Sequence, residues 1–250
     1  MSKAARQRSA RERLREQQRR EAVRKRLMRR LGLAGGAIAV IVIVVVVAVV
    51  VQSQRHHSSP EFHGKVPAAQ VLSDGGIEVA KPGVKGPKLD IWEDFQCPIC
   101  QKFESINGDT VKRLAAEGKV RVVYHPIAII DQRSVRAGSA AQCAAHYGKY
   151  MPYHDLLYAK QPPEKPVQGF TLDDLKAYGK QVGITKPGFA KCVDQQKYAG
   201  TVLKATKHAG TMKGFQGTPT LYLNGKVLGS GTTFSSDKLT QAVEQAGSSS

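Results

Sequence analysis

The sequence predicts an α/β domain with a helical insertion in its middle, preceded by one membrane-spanning helix. Three observations carry this reading. The strand-like run Leu89-Asp90-Ile91-Trp92-Glu93-Asp94-Phe95 leads into Cys97-Pro98-Ile99-Cys100, which opens a helical pattern. That helix is followed by a β-branched strand, a long block of helices, a hairpin and a closing helix. Near the N-terminus, Leu31 to Val51 is uninterrupted by charge.

Taken in order, residues 1–30 hold thirteen Lys/Arg (Lys3, Lys25 and eleven Arg) against three Glu, a net of +10 out of the chain's +18. Residues 31–51, dominated by Val, Ile, Ala and Gly, can cross a hydrocarbon core of about 30 Å as a helix. The positive-inside rule then keeps the basic arm in the cytoplasm and sends everything after Val51 outside. A cleaved signal peptide has an apolar core of about 7–15 residues. This run is longer and offers only a poor Ala48-x-Val50 cleavage candidate, so an uncleaved anchor is expected. Gly32 and Gly36 have the spacing of a close-packing pair, although such pairs are frequent in membrane helices generally. The arm has no aromatic residues for base stacking and abuts the span, which favours contact with anionic lipid over nucleic acid. Residues 52–75 lack periodicity and read as a flexible tether. Within it His56, His57 and His63 read as solvated polar sequence rather than metal ligands.

The globular part is of ordinary domain size, with residues 76–126 and 215–247 forming the α/β domain around a helical insertion at 127–214. Ile77-Glu78-Val79 is expected as its first strand and Leu89 to Asp94 as its second. A helix from Pro98 to about Ala116 is ended by Glu117-Gly118-Lys119, and Val120 to His125 is the next strand. Helices are expected at Arg133–Tyr147, Met151–Lys160, Leu172–Val182, Lys186–Gln195 and Tyr198–Lys213. Pro162, Pro163 and Pro166 divide the block into two lobes, and Thr171-Leu172-Asp173-Asp174 has the form of a capping box. Thr220 to Leu223, Asn224-Gly225 and Lys226 to Leu228 read as a hairpin, and Ser236 to Gln245 as the last helix.

Two thiols one turn apart at a helix N-terminus suit dithiol/disulfide chemistry. The aligned peptide dipoles and free N–H groups favour a thiolate, so Cys97 should have a depressed pKa. Pro98 fits the first turn, where its missing N–H has no helical partner to lose.

Trp92 to Phe103 resembles the active-site segment of the DsbA-like thiol:disulfide oxidoreductases, and Gly217-Thr218-Pro219-Thr220 is similar to that family's cis-proline loop. The resemblance covers Ile77 to Gln245, implies a thioredoxin-like fold, and makes Cys97 and Cys100 the catalytic pair beside a substrate-binding Thr218–Pro219 edge. It also implies a redox-active disulfide with no other cofactor. Membrane-tethered members of this type occur in Gram-positive and actinobacterial lineages. Relatives that are strong oxidants carry His inside the CxxC, where it can donate to the thiolate. Ile99 cannot, so a milder potential is expected.

Cys143 and Cys192 leave two readings, a structural disulfide as in some actinobacterial relatives or two buried thiols. An oxidising compartment favours the bridge. Cys97-x-x-Cys100 and Cys143-x-x-His146 have zinc-like spacing, but a single CxxC headed by Pro is redox-like, and no metal site is expected. Glu93 and Asp94 are candidates for relaying the resolving thiol's proton. Strand alternation places one inward and the other outward, and both remain readable as solvated strand-end charges. His125 reads as a sheet-end histidine satisfied by backbone and Trp92 as core.

These readings point to an extracytoplasmic oxidase acting on exported proteins with free thiols. A vitamin K epoxide reductase homologue or a DsbB-like membrane protein would reoxidise it. A reductase or isomerase on the same fold, and a non-catalytic chaperone module, are the alternatives.

Overall fold

The computed structural model describes residues 62–161 and 169–248. The basic arm, the apolar run, Gly32, Gly36, His56, His57 and the prolines at 162, 163 and 166 lie outside the described residues.

Among the described residues six strands form one mixed sheet: β1 (Ala69–Val71), β2 (Ile77–Val79), β3 (Lys88–Glu93), β4 (Arg121–Pro126), β5 (Thr220–Leu223) and β6 (Lys226–Val227). Their order is β1-β2-β4-β3-β5-β6. Among the described residues only β3 and β4 run parallel, in the register Lys88 to Arg121 through Glu93 to Pro126, and the helix α1 (Pro98–Glu117) makes the crossover between them. β3 is central. Every residue from Leu89 to Glu93 is buried, Asp90 and Glu93 included, so the strand has no solvated face.

α1 begins at Cys97 with Pro98 in its first turn and ends at Gly118, whose φ of 76° a residue with a Cβ rarely adopts. There the N–H groups of Gly118 and Lys119 return to the carbonyls of Ala115 and Leu114. The turn joining β5 to β6 places Asn224 and Gly225 at φ 49° and 76°, the primed geometry that an Asn-Gly pair accommodates. Asn224 also stitches the hairpin to β3, since its N–H donates to the Lys88 carbonyl and its side chain accepts from the Lys88 N–H.

The insertion contains α2 (Gln132–His146), α3 (Tyr150–Ala159), α4 (Leu172–Gln181), α5 (Pro187–Asp194) and α6 (Ala199–Ala209). Thr171 caps α4 through a reciprocal box with Asp174. After the hairpin come a single helical turn, α7 (Ser230–Thr233), and a longer helix, α8 (Ser236–Ser248). Insertion and sheet share one apolar core, in which Ile91, Phe103 and Leu114 are continuous with Tyr150, Leu157, Phe170 and Phe189.

Four expectations are corrected. Residues 69–71 belong to the sheet instead of the tether, because Ala69–Val71 pairs with Ile77–Val79 across a turn in which Asp74 accepts the Gly76 N–H. α6 stops at Ala209, and residues 210–213 are turns instead of helix. α7 is a further element beyond those expected, since Ser230-Gly231-Thr232-Thr233 carries no apolar periodicity. Glu93 and Asp94 are both fully buried instead of divided between inside and outside. Glu93 ends β3 beneath α1, while Asp94 lies beyond the strand and folds inward to hold a loop.

Candidate active site

The end of β3 determines where the sulfurs lie. Asp94 accepts the Cys97 N–H with its backbone carbonyl, and Cys97 starts α1. Trp92 on β3 pairs with Thr220 on β5, which brings the preceding Thr218–Pro219 segment, cis at that bond, to the same end of the sheet. Cys97 Sγ lies 3.4 Å from the Thr218 carbonyl oxygen. Cys97 keeps 7% of its surface, Cys100 none, and both are free thiols.

The two thiols are shifted in opposite directions. Cys97 is lowered to about 6, chiefly by a hydrogen bond from Cys100; burial opposes this, and the Thr218 side chain and the N–H groups of Cys100 and Ile99 add to it. The Thr218 carbonyl works the other way, because it can accept only from the protonated thiol. Cys100 is pushed well above its ordinary value by burial, then by the hydrogen bond and charge of Cys97, with a smaller contribution from the charge of Glu93. Near neutral pH this leaves a thiolate at the accessible sulfur and a proton on the enclosed one.

Glu93 is held from both sides. Its Oε1 lies 3.1 Å from His154 Nε2, and its Oε2 accepts from the Tyr158 hydroxyl at 3.0 Å. His154 Nδ1 in turn lies 3.0 Å from Asp155 Oδ1. Asp94 has a different task. Its Oδ1 accepts the Gln96 N–H at 2.8 Å, and its Oδ2 accepts those of Ile129 and Ile130 at 2.8 and 3.2 Å. Burial raises its pKa against these bonds. Asp94→Ala should therefore cost about 1–3 kcal/mol, since three N–H groups lose their acceptor together. Urea unfolding of the two proteins measures this, and an unchanged midpoint would remove Asp94 from the scaffold.

Gln161 and Gln101 complete the frame. Gln161 donates to the Phe95 and Cys97 carbonyls, and Gln101 to the Tyr158 carbonyl, so the insertion fixes the backbone on which the thiols sit. Ile99, Ile129 and Ile130 are each about half exposed, and with Pro98 they present apolar surface to solvent in this region.

Of the other candidates, Cys143 and Cys192 are joined in a disulfide linking α2 to α5. Cys143 is thus not available to a Cys143-x-x-His146 ligand pair, and His146 stacks on Tyr198. His125 finds a carboxylate instead of backbone, with Nε2 2.9 Å from Asp90 Oδ1 and its ring stacked on Trp92. Sequence reasoning missed His154, Tyr158 and Glu104. His154 is 61 residues from the Glu93 it contacts, and nothing local marks a helical His as its partner.

The strand order, the single parallel pair and the dithiol at the mouth of the crossover helix define a thioredoxin-fold protein of the thiol–disulfide class. A family model described as thioredoxin matches residues 86–245, and the chain belongs to that family. Among solved structures, the reduced disulfide bond oxidoreductase DsbG of Mycobacterium tuberculosis is 27% identical, with a TM-score of 0.58 over 67% of this chain and 82% of that one. Oxidised DsbA of the same organism is 25% identical, with a TM-score of 0.59 over 73% and 92%. BdbD of Bacillus subtilis, at 22% identity and a TM-score of 0.61 over 73% and 98%, shares the fold.

Two curated relatives are more distant in extent. The Na(+)/H(+) antiporter NhaA 3 of Salinispora tropica is 28% identical over 62% of this chain but only 24% of its own length. A putative protein-disulfide oxidoreductase of Rickettsia bellii is 25% identical over 57% of this chain and 56% of its own. The chain thus spans about a quarter of the first and about half of the second, and the antiporter name describes a protein most of which lies outside the match.

Proposed function

We propose that the protein is an extracytoplasmic thiol oxidase that introduces disulfides into exported proteins. The opposed shifts of Cys97, lowered to about 6, and Cys100, raised well above its ordinary value, carry this reading. In the oxidised form a substrate thiolate attacks Cys97 Sγ, the Cys97–Cys100 bond breaks, and Cys100 leaves and takes up a proton. A second substrate thiolate then attacks the substrate sulfur of the mixed disulfide, expelling Cys97 as a thiolate. Substrate is oxidised by two electrons and the enzyme is left as a dithiol, so no separate cofactor is required. The better Cys97 is stabilised as thiolate, the more oxidising the disulfide.

The DsbG and DsbA similarity supports this chemistry, and the Cys143–Cys192 bridge fits an oxidising compartment. The half-exposed Ile99, Ile129 and Ile130 offer an unfolded chain apolar contact beside the accessible sulfur. The proposal places the basic arm in the cytoplasm against anionic lipid, residues 31–51 across the membrane, and the dithiol domain outside. A vitamin K epoxide reductase homologue or DsbB-like protein would accept its electrons. Protease added to right-side-out membrane vesicles should digest the domain and spare an N-terminal tag. Digestion of the tag alone would reverse the topology.

The deciding measurement is the potential of Cys97–Cys100 against glutathione, read by trapping the free thiols. A value well above thioredoxin's, about −270 mV, supports the oxidase. A value at or below it favours a disulfide reductase or isomerase, the reading that Ile99 keeps in play because its side chain donates no hydrogen bond to the thiolate. Failure to form the bond would leave a non-catalytic binding module. Ile99→His should make the pair more oxidising, by about 30 mV for each unit by which it lowers the Cys97 pKa. An unchanged potential would mean that Cys100 and the backbone donors already determine the thiolate.

A further inference from the structure

Beneath the active-site helix, three side chains from three elements converge on one point: Glu93 from β3, Glu104 from α1 and His154 from α3. One ligand atom from each lies within 4.8 Å of the other two. Glu93 Oε1 is 3.1 Å and Glu104 Oε1 4.0 Å from His154 Nε2. Glu93 and His154 are fully buried, the Glu104 side chain is only 9% exposed, and its Oε1 has no hydrogen-bond partner. A buried carboxylate oxygen left without a partner is costly, and this one points at an imidazole nitrogen and a second carboxylate.

From this convergence we propose that Glu93, Glu104 and His154 form a binding site for one divalent cation of the Zn²⁺ class. Imidazole with two carboxylates suits Zn²⁺ and, more weakly, Mn²⁺. Ca²⁺ takes six to eight oxygens, and Mg²⁺ keeps its waters. Ligands about 2.0–2.1 Å from a tetrahedral ion stand about 3.4 Å apart, so the Glu93–His154 edge already has nearly that span. Glu104 closes the third position with a shift on the order of 1 Å.

The surroundings match what a ligand set requires. His154 presents Nε2 to the site while Nδ1 meets Asp155 Oδ1, and the second oxygen of Glu93 is held by Tyr158. Such outer contacts orient a metal-binding imidazole and carboxylate. A groove of about 630 Å³ between α1 and α3 is lined by Glu104 together with Asp155 and Tyr158, the two residues that hold His154 and Glu93, so solvent reaches the edge of the cluster. The bound ion would tie the sheet, the active-site helix and the insertion together at one point. Cys and His spacing could not have indicated this site, because none of its ligands is a cysteine and its one histidine lies far along the chain.

The test is made on the full chain in detergent micelles with Cys97 and Cys100 both replaced by serine. No dithiol can then hold the metal, and the result does not depend on the redox reading. After chelation, equilibrium dialysis against micromolar Zn²⁺ and metal analysis should find one tightly held equivalent more than in the same protein carrying Glu104→Gln or, separately, His154→Asn. This difference discounts ions held by His56, His57 or His63. Co²⁺ should give the visible spectrum of a four-coordinate nitrogen/oxygen site, and saturating Zn²⁺ should raise the melting temperature by several degrees. Equal metal content in the parent and a folded variant overturns the proposal. If neither variant folds, a parent whose melting temperature ignores Zn²⁺ overturns it as well. The cluster would then be an ion pair with a protonated third carboxyl group.

Discussion

Cys97→Ser should reduce oxidation of a thiol substrate to the uncatalysed rate, while Cys100→Ser, offered a substrate in its disulfide form, should accumulate a mixed disulfide as the Cys97 thiolate attacks one substrate sulfur and the other leaves as a thiolate. The two outcomes differ because the sulfurs are not equivalent. Cys97 is the one that solvent reaches and that is lowered to about 6, whereas Cys100 is enclosed and pushed far upward. Without Cys97 there is no sulfur to attack. Without Cys100 a captured substrate lacks the intramolecular thiol that would release it.

The same asymmetry predicts a pH profile for the reduced wild-type protein. Alkylation at Cys97 should rise about tenfold per pH unit below 6 and level off above it, because only the thiolate reacts. Cys100 should stay unmodified across that range. The sign for stability follows from the depressed folded value. Between about 6 and the ordinary thiol range near 8.5, the unfolded reduced chain binds a proton that the folded one does not. The reduced form's stability relative to the oxidised form therefore increases with pH through that window and is lost as pH falls through 6. A reactive sulfur titrating near 8.5 would contradict the arrangement of N–H groups and Cys100 around it.

Removing the Cys143–Cys192 bridge should be the largest single loss of stability. The bridge spans 49 residues, for which the chain-entropy model gives about 4 kcal/mol. For a domain of this size that corresponds to a melting temperature lower by roughly 8–16 °C. The effect should centre on α5, an eight-residue helix that buries only Phe189, Cys192 and Val193, while Cys143 lies in the well-buried α2. The double Cys→Ser protein compared by thermal unfolding tests this. A difference within two or three degrees would mean that packing alone holds α5. The Cys97–Cys100 potential should not move, since neither bridge residue is among the groups that shift either thiol.

Much of this was legible in short windows. The Pro98 start and Gly118 stop of α1, the Thr171–Asp174 capping box and the Asn224-Gly225 turn are each decided by a few adjacent residues, and the structure has each of them where the sequence puts it. β1 was missed because three residues carry too little periodicity, and its strand character comes from the β2 edge it meets. The assignment of Glu93 and Asp94 to opposite sides failed because alternation describes a strand with one wet face. β3 has none, and Asp94 has already left it.

By itself the sequence determined a dithiol at a helix N-terminus, the order of elements around it, and the nature of the turns and caps, because these depend on neighbours within a turn or two. It also determined the charge asymmetry on which the proposed topology rests. Only the tertiary structure decided that both acidic residues before the dithiol are buried and do different work. It alone brought His154, Tyr158 and Glu104 to Glu93 and directed His125 to Asp90, whereas the Cys143–Cys192 bridge is the pairing the sequence favours. These partners lie on separate elements, and a charge does not state in sequence which distant group will satisfy it. Packing of the insertion onto the sheet makes that choice, since a buried polar group persists only where another chain segment supplies its counterpart.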